Sequence, residues 1–203
     1  MRLAVLADLH GNLRALEAIL RDAERRGADG VVHLGDLVDA HTDPRAAAGV
    51  ARALEERGVP GVLGEGDLAR LVEEQARVSE GQNSPVEAFL RTLPAQLAVE
   101  EGSLRLLFVH ASPEGLEDVG LADLPDDDLS RYLERCGADV LAVGHTHRAL
   151  ARHAGGRLLL NPGSAGCPPR PECASVSYVL LDTSGGLAVS HVRLEIGVES
   201  REL

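Results

Sequence analysis

The residues of this chain with chemical potential stand where apolar runs stop. "LAVLA" runs into Asp8 and His10, "VVHLG" into Asp36 with Asp39 three further on, and "GVLG" into Glu65 and Asp67. "LLFV" runs into His110, and "VLAVG" into His145 and His147. Taken singly these positions say little, because an Asp after a strand commonly caps a helix and a lone His commonly hydrogen-bonds within a fold. Asp39 and Asp67 are read in that supporting sense. His33, inside an apolar run, and His153 and His191, in late apolar stretches, are read as structural. The agreement of five run ends is what points to chemistry. Carboxylates and imidazoles without thiolates are a donor set for manganese, zinc or iron rather than for a Cys-rich structural site.

Such a cluster needs strands that deliver their carboxyl ends to one edge, which is where open α/β sheets bind ligands. "RLAVLA" suits a buried strand. A helix follows over "GNLRALEAILRDAERRG", with Asn12 as N-cap, Leu13, Leu16, Ile19 and Leu20 on one face, and Gly27 closing it. "GVVHL" reads as a second buried strand. "DPRAAAGVARALEERG" carries Asp43 as N-cap, Pro44 at the first helical position and Gly58 as terminator. "VPGVL" reads as a third strand, which gives a right-handed parallel α/β half. Further on, helices are expected over residues 84–92 and 126–136, a hairpin over "AQLAVEEGSLRLLFVH" turning at Glu101 and Gly102, and a buried strand in "ADVLAVGH". Short strands follow from residue 149 onward, and the second half is expected to form a mostly antiparallel sheet stacked on the first. No repeat, linker or low-complexity segment interrupts the chain.

At 203 residues, 44 % of them apolar and 26 % charged, the sequence suits a single domain spanning residues 1–203. A net charge of −12 argues against a track for long nucleic acid, which needs clustered cations. It does not exclude a phosphate ester, since bound metal inverts the local field. With two Phe, two Tyr and no Trp, there is no platform for stacking bases. All twenty basic residues are Arg, so lysine chemistry is absent. Cys136, Cys167 and Cys173 are odd in number and lack C-x-x-C spacing, and they read as inert thiols. No apolar run approaches 18 residues, so no membrane span is expected. The opening "MRLAVLADLH" makes a poor secretion signal, and the expected location is the cytoplasm.

The order and spacing of "DLHGN", "GDLVD", "GEGD", "VHAS", "GHTH" and "NPGSAG" resemble those of the calcineurin-like metallophosphoesterases, and most of all their small bacterial and archaeal phosphodiesterase-like branch. The resemblance runs from residue 3 to about 182. It implies an α/β fold: a four-layer α-β-β-α sandwich of two stacked mixed sheets. It also implies two divalent or transition metal ions, manganese first and zinc, iron or nickel as alternatives. Asp8, His10 and His147 would hold the first ion, Asp36 would bridge, and His110 and His145 would hold the second with whatever residue 65 supplies. Asn12 would lie beside the phosphate at a helix start, and Asn161, Gly163 and Ser164 would shape the site from the opposite sheet or form a structural turn. A hydroxide generated between the ions would attack phosphorus in line with the leaving oxygen. The chain contains no G-x-S-x-G or P-loop that would suggest another mechanism.

One stretch departs from that pattern. The family commonly writes G-N-H-D or G-N-C-D where this chain has "GEGD", so Glu65 replaces a neutral Asn ligand and Gly66 replaces a His that can protonate the leaving group. Gly64 and Gly66 would permit close backbone approach and positive φ. Glu65 is expected to coordinate the second ion, the rival being that it swings out and leaves that site weak. His41, five residues beyond Asp36, reads first as a plain loop histidine, with a substitute proton donor as the functional alternative. Two functions follow. The first is a metal-dependent phosphoesterase acting on diesters or small phosphorylated metabolites. The alternative is a metal-binding sensor or scaffold with the same fold and little catalysis.

Overall fold

The computed structural model describes residues 1–77, 84–117, 119–166 and 175–196. In chain order these form β1 (Arg2–Leu6), α1 (Leu13–Arg25), β2 (Gly30–His33), α2 (Pro44–Glu56), α3 (Glu65–Arg77) and α4 (Pro85–Leu90). There follow β3 (Gln96–Glu101), β4 (Leu104–Val109), a 3-10 turn (Leu121–Asp123), α5 (Asp126–Arg135), β5 (Val140–Ala142), β6 (Leu150–Ala154), β7 (Arg157–Asn161), β8 (Ser175–Asp182) and β9 (Ala188–Glu195).

The first helices form for the reasons read from their ends. Asn12 Oδ1 accepts from the Ala15 N–H at 3.0 Å, which satisfies one orphan donor of α1. Asp43 Oδ1 does the same for α2 through Arg45 and Ala46, behind Pro44 at the first position. Gly27 and Gly58 follow those helices with φ of 71° and 58°, the left-handed turn for which glycine is suited. α1 buries Ala15, Leu16, Ile19 and Ala23, one stripe at helical spacing.

Two mixed sheets stack face to face. One has the order β2-β1-β8-β9, with β1 parallel to β2 and antiparallel to β8. The other has the order β3-β4-β5-β7-β6, with β4, β5 and β7 parallel and antiparallel strands at both edges. Between them lie Val5, Ala7, Val32, Leu34 and Val62 from one side and Leu106, Phe108, Val140, Ala142, Leu158 and Leu160 from the other. Ala4 and Leu6, the alternate residues of β1, face the layer of α1 and α2. α5 covers the outer face of the second sheet through Leu129, Tyr132 and Leu133, against Leu107, Leu141 and Leu159. These are the four layers expected. Central strands buried on both faces explain why they read as unbroken apolar runs.

Two expectations of local structure fail. "VPGVL" does not extend the parallel half as a strand: it makes one isolated parallel bridge, His33 with Gly61. Pro60 has no N–H to donate to a ladder, and by Leu63 the backbone has turned to donate to Pro94 O at 2.9 Å. Nor do the halves of the chain form separate sheets. β8 and β9 return to pair with β1, so the first sheet is built from both ends of the sequence. Cys136 is a free thiol, Cys167 and Cys173 lie outside the described residues, and no described helix is long and apolar enough to cross a membrane.

Candidate metal centre

Each candidate ligand follows the carboxyl end of an element or opens the next one. Asp8 and His10 follow β1, Asp36 follows β2, His110 follows β4, and His145 and His147 follow β5. Glu65 is the first residue of α3. Asp8, His10, Asp36, His145 and His147 have φ between 46° and 64°, and they are the non-glycine residues with positive φ among those described. Aspartate and histidine enter this region more readily than most side chains, yet each such residue costs about 1–3 kcal/mol. The surrounding loops hold them there. Asp8 N–H donates to Gly35 O at 3.1 Å, His10 N–H to Asp36 O at 3.0 Å and Gly144 N–H to His110 O at 2.7 Å. Strain that falls on these five residues and on no other non-glycine residue described is a mark of the site.

The side chains converge as two triads. Asp8, His10 and His147 form one group whose donor atoms lie within 4.8 Å of one another, and Glu65, His110 and His145 form a second. Asp36 stands between them: Oδ2 is 3.9 Å from His10 Nε2 and Oδ1 is 3.6 Å from His110 Nε2. Asp36 also forms a third such group with Asp8 and His110. His10 and His147 bring their Nε2 atoms to 3.2 Å. Glu65 Oε1 lies 2.5 Å from His145 Nδ1, while Oε2 touches His110 Nε2 without the alignment of a hydrogen bond. His110 Nδ1 is bound to Leu34 O at 2.6 Å, so this nitrogen carries the proton and Nε2 is turned to the cluster.

These residues suit a cation on physical grounds. Asp8 Oδ2 is a buried polar atom with no hydrogen-bond partner, and Glu65 Oε2 and His110 Nε2 meet only one another, although buried polar atoms are rarely left unsatisfied. Burial raises Asp8 to about 7, the nearby Asp36 and Glu65 charges adding to the rise and His110 opposing it. Asp36 is raised for the same first reason, burial. Burial would raise Glu65 too, but its contact with His110 and the charges of His110 and His145 hold it at about 2. His110 is pushed up to about 9, because Glu65 and Asp36 outweigh its burial. Asp8 and Asp36, two buried acids raised above the usual carboxylate range, fit a site that divalent ions complete.

Behind the ligands, Asp67 is fully buried and accepts from Val38 N–H through Oδ1 and from Gly64 N–H through Oδ2, both at 3.0 Å. It therefore caps α3 and ties it to the loop of Asp36, as expected of a supporting residue. Asp39 Oδ2 lies 3.6 Å from His10 Nδ1, and its Oδ1 accepts from the backbone N–H of His41. The side chain of His41 is exposed on that loop. Asn12, besides capping α1, donates from Nδ2 to Gly166 O at 3.1 Å. Asn161 is buried, donates to Gly144 O and Thr146 Oγ1, and accepts from Gly163 N–H. The amides of both thus position the ligand loops, Asn161 by fastening the one that carries His145 and His147. Ser164 Oγ, in the same turn, donates to Asp8 O at 3.0 Å.

The expectation of positive φ in "GEGD" is corrected, because the segment opens α3 with Glu65 as its first residue. Gly64 and Gly66 are not among the residues with positive φ. What they supply is space, since a Cβ on Gly64 would come within 2.2 Å of Asp36 Oδ1 and one on Gly66 within 2.7 Å of Val38 O. Gly66 N–H, an orphan donor of the first helical turn, gives its hydrogen to Asp36 Oδ1 at 2.7 Å. The signal for this helix was in the sequence: acids at 65 and 67 in the first turn, a Gly N-cap, an Asp three residues on that reaches back to the cap N–H, and Leu68, Leu71 and Val72 at helical spacing.

The sequence profile of the calcineurin-like phosphoesterase superfamily domain matches residues 1–186. The chain belongs to this superfamily. An uncharacterized protein of Methanocaldococcus jannaschii is 30 % identical over 228 aligned residues, covering 97 % of this chain and 88 % of the relative. In fold, the phosphoesterase chain resembles a hypothetical protein of Pyrococcus horikoshii OT3, with a TM-score of 0.76 at 22 % identity over 97 % of this chain and 88 % of that one. It likewise resembles a metallophosphoesterase from Sphaerobacter thermophilus, with a TM-score of 0.72 at 24 % identity over 96 % and 89 % of the two chains.

Proposed function

We propose that this calcineurin-like phosphoesterase is a two-ion enzyme that hydrolyses phosphodiesters or small phosphorylated metabolites. The observation that carries the reading is the pair of triads with the two oxygens of Asp36 turned one to each. Asp8, His10 and His147 would hold one ion, Glu65, His110 and His145 the other, and Asp36 both. Manganese suits this mixture of carboxylate and imidazole, with zinc, iron and nickel also compatible. When bound, such ions polarise phosphoryl oxygens and activate water for in-line attack.

The protein's own groups then orient and move protons. The N-terminal end of α1, just beyond His10 and Gly11, points a helix dipole that favours an anion. Gly66 has no side chain to protonate a leaving oxygen, and His41, on the loop held by Asp39, is the candidate substitute, with a plain loop histidine as the rival. The acidic surface favours a small substrate over long nucleic acid. The absence of the family's His at position 66 also supports the second reading, a metal-binding protein with little turnover.

Protein reloaded with Mn(II) and assayed on bis-(4-nitrophenyl) phosphate and 4-nitrophenyl phosphate separates the two. Turnover of the diester is expected, with Asp36→Asn losing both metal content and activity. A protein that retains two ions and turns over neither ester refutes the enzyme and leaves the sensor. Full metal content in Asp36→Asn would mean that Asp36 is not the bridge.

A further inference from the structure

One side of α3 is apolar and open to solvent. Leu68 is 41 % exposed and Val72 60 %, two of the three large apolar side chains exposed among the described residues. Ala69 between them is exposed as well. The other sides of the helix are occupied. Asp67 and Leu71 are buried, while Arg70 pairs with Glu87 of α4 at 2.7 Å and donates to Thr42 O. At about 100° per residue, Leu68, Ala69 and Val72 share an arc of about 100° with Glu65. Glu65 meets His110 and His145, yet its side chain is 40 % exposed, against 0 % for Asp8 and 5 % for Asp36. The centre is therefore open on the side of this carboxylate. Helical side chains lean toward the N-terminus, so Leu68 covers surface beside Glu65, and Val72 covers the turn behind it. An aliphatic strip thus starts at the metal centre and runs about 10 Å along α3.

We infer that this strip binds an aliphatic ester group of the substrate, and that Leu68 and Val72 select phosphate esters carrying a short hydrocarbon chain. The inference rests on the phosphoesterase reading above and narrows it. Leucine and valine gain from covering hydrocarbon but offer no ring on which a nucleoside base can stack. The net charge of −12 opposes attraction to anionic lipid, so the chain belongs to a soluble ester rather than to a membrane.

The test is calorimetric titration of Mn(II)-loaded protein with methyl, butyl and hexyl phosphate. Complete burial of a methylene tightens binding about fourfold, and contact along one side about twofold. Hexyl phosphate is therefore expected to bind the parent at least about tenfold more tightly than methyl phosphate. In the Leu68→Ser/Val72→Ser protein the two should bind within about threefold of one another. Both positions are exposed, and Tm checks the fold; if the double variant does not fold, Leu68→Ala repeats the comparison. Turnover gives a second readout: the parent should prefer hexyl over methyl 4-nitrophenyl phosphate in kcat/KM, and the double variant should lose that preference. Chain-length dependence that survives the substitutions places the hydrocarbon elsewhere and overturns the inference. Equal binding of methyl and hexyl phosphate by a parent that hydrolyses bis-(4-nitrophenyl) phosphate overturns it too, with the phosphoesterase reading intact. In that case a dimer that the double variant dissociates would assign the strip to a second copy, and loss of binding to phosphatidylcholine vesicles would assign it to a membrane. A parent that binds no alkyl phosphate and turns over no ester overturns both readings.

Discussion

At the scale of single residues, the site combines backbone strain with unsatisfied polar atoms. Five of the seven candidate ligands sit at positive φ, and a bound ion repays that strain by fixing the donors it draws together. Glu65 is the residue where this chain parts from its family's usual pattern, and its carboxylate reaches an imidazole with each oxygen. His41 is the matching question on the acid side. Its backbone N–H and the His10 ring share the carboxylate of Asp39, at 2.8 Å and 3.6 Å, which places its loop beside the first triad. If its imidazole protonates the leaving oxygen, His41→Gln should slow a phenyl ester by about 10²–10⁴-fold and a 4-nitrophenyl ester far less, because nitrophenolate leaves without help. Equal losses on the two esters would reduce His41 to a loop residue.

At the scale of elements, the ligands were legible in the sequence, and the helix bearing one of them was overlooked although its first-turn acids and the spacing of Leu68, Leu71 and Val72 announce it. Asp8, Asp36, His110 and the His145–His147 pair each end an apolar run, and a run buried on both faces of a sheet has a recognisable end. α3 escaped because Gly64 and Gly66 look like loop residues, whereas they are present because Asp36 and Val38 leave no room for a Cβ. That is a tertiary constraint, invisible in local pattern. The return of β8 to β1 was hidden for the same reason: strand partners far apart in the chain leave no trace in periodicity. The crowding has a consequence for engineering. A Cβ at Gly66 would meet Val38 O at 2.7 Å and Asp36 Oδ1 at 3.2 Å, so Gly66→Ala must push α3 away from Asp36 or strain it. Such overpacking costs about 1–3 kcal/mol, or a fall in Tm of roughly 2–12 °C for a protein of this size. Metal affinity should drop with it, since the Gly66 N–H no longer holds Asp36. An unchanged Tm and unchanged Mn(II) titration would show that the turn relaxes freely. By the same geometry, His cannot simply be restored at position 66.

At the scale of the whole molecule, the core contains a histidine that the centre does not use. His33 is fully buried, neither ring nitrogen has a hydrogen-bond partner, and Gly61 lies against the ring. Burial pushes it down to about 3, so the folded protein keeps it neutral while the unfolded chain takes up a proton below about 6.5. Stability is therefore lost as pH falls through the window from about 6.5 to 3, by up to about 1.4 kcal/mol per pH unit. Asp8 and Asp67, both raised to about 7 by burial, act the other way in metal-free protein: their contribution declines as pH rises from about 4 to 7. The difference between parent and His33→Met isolates the histidine. Denaturant unfolding at pH 7 and pH 5 should show the parent losing about 2 kcal/mol more than the variant; parallel losses would mean that His33 is protonated in the fold.

The pairing of β1 with β8 also sets an order of events during synthesis. The Asp8 loop is gripped by Ala165, Gly166 and Ser164, and Arg2 to Val5 lie alongside Val179 to Asp182. A ribosome making this chain from its first residue releases Asp8, His10, Asp36 and Glu65 long before the strand that will flank β1. Until β8 emerges, the earliest ligands hang from a two-stranded fragment with one open edge, and open edges invite foreign pairing. The first ligands of the centre thus wait on a strand made near the end of the chain, and a nascent chain halted before residue 175 leaves that edge of β1 unpaired.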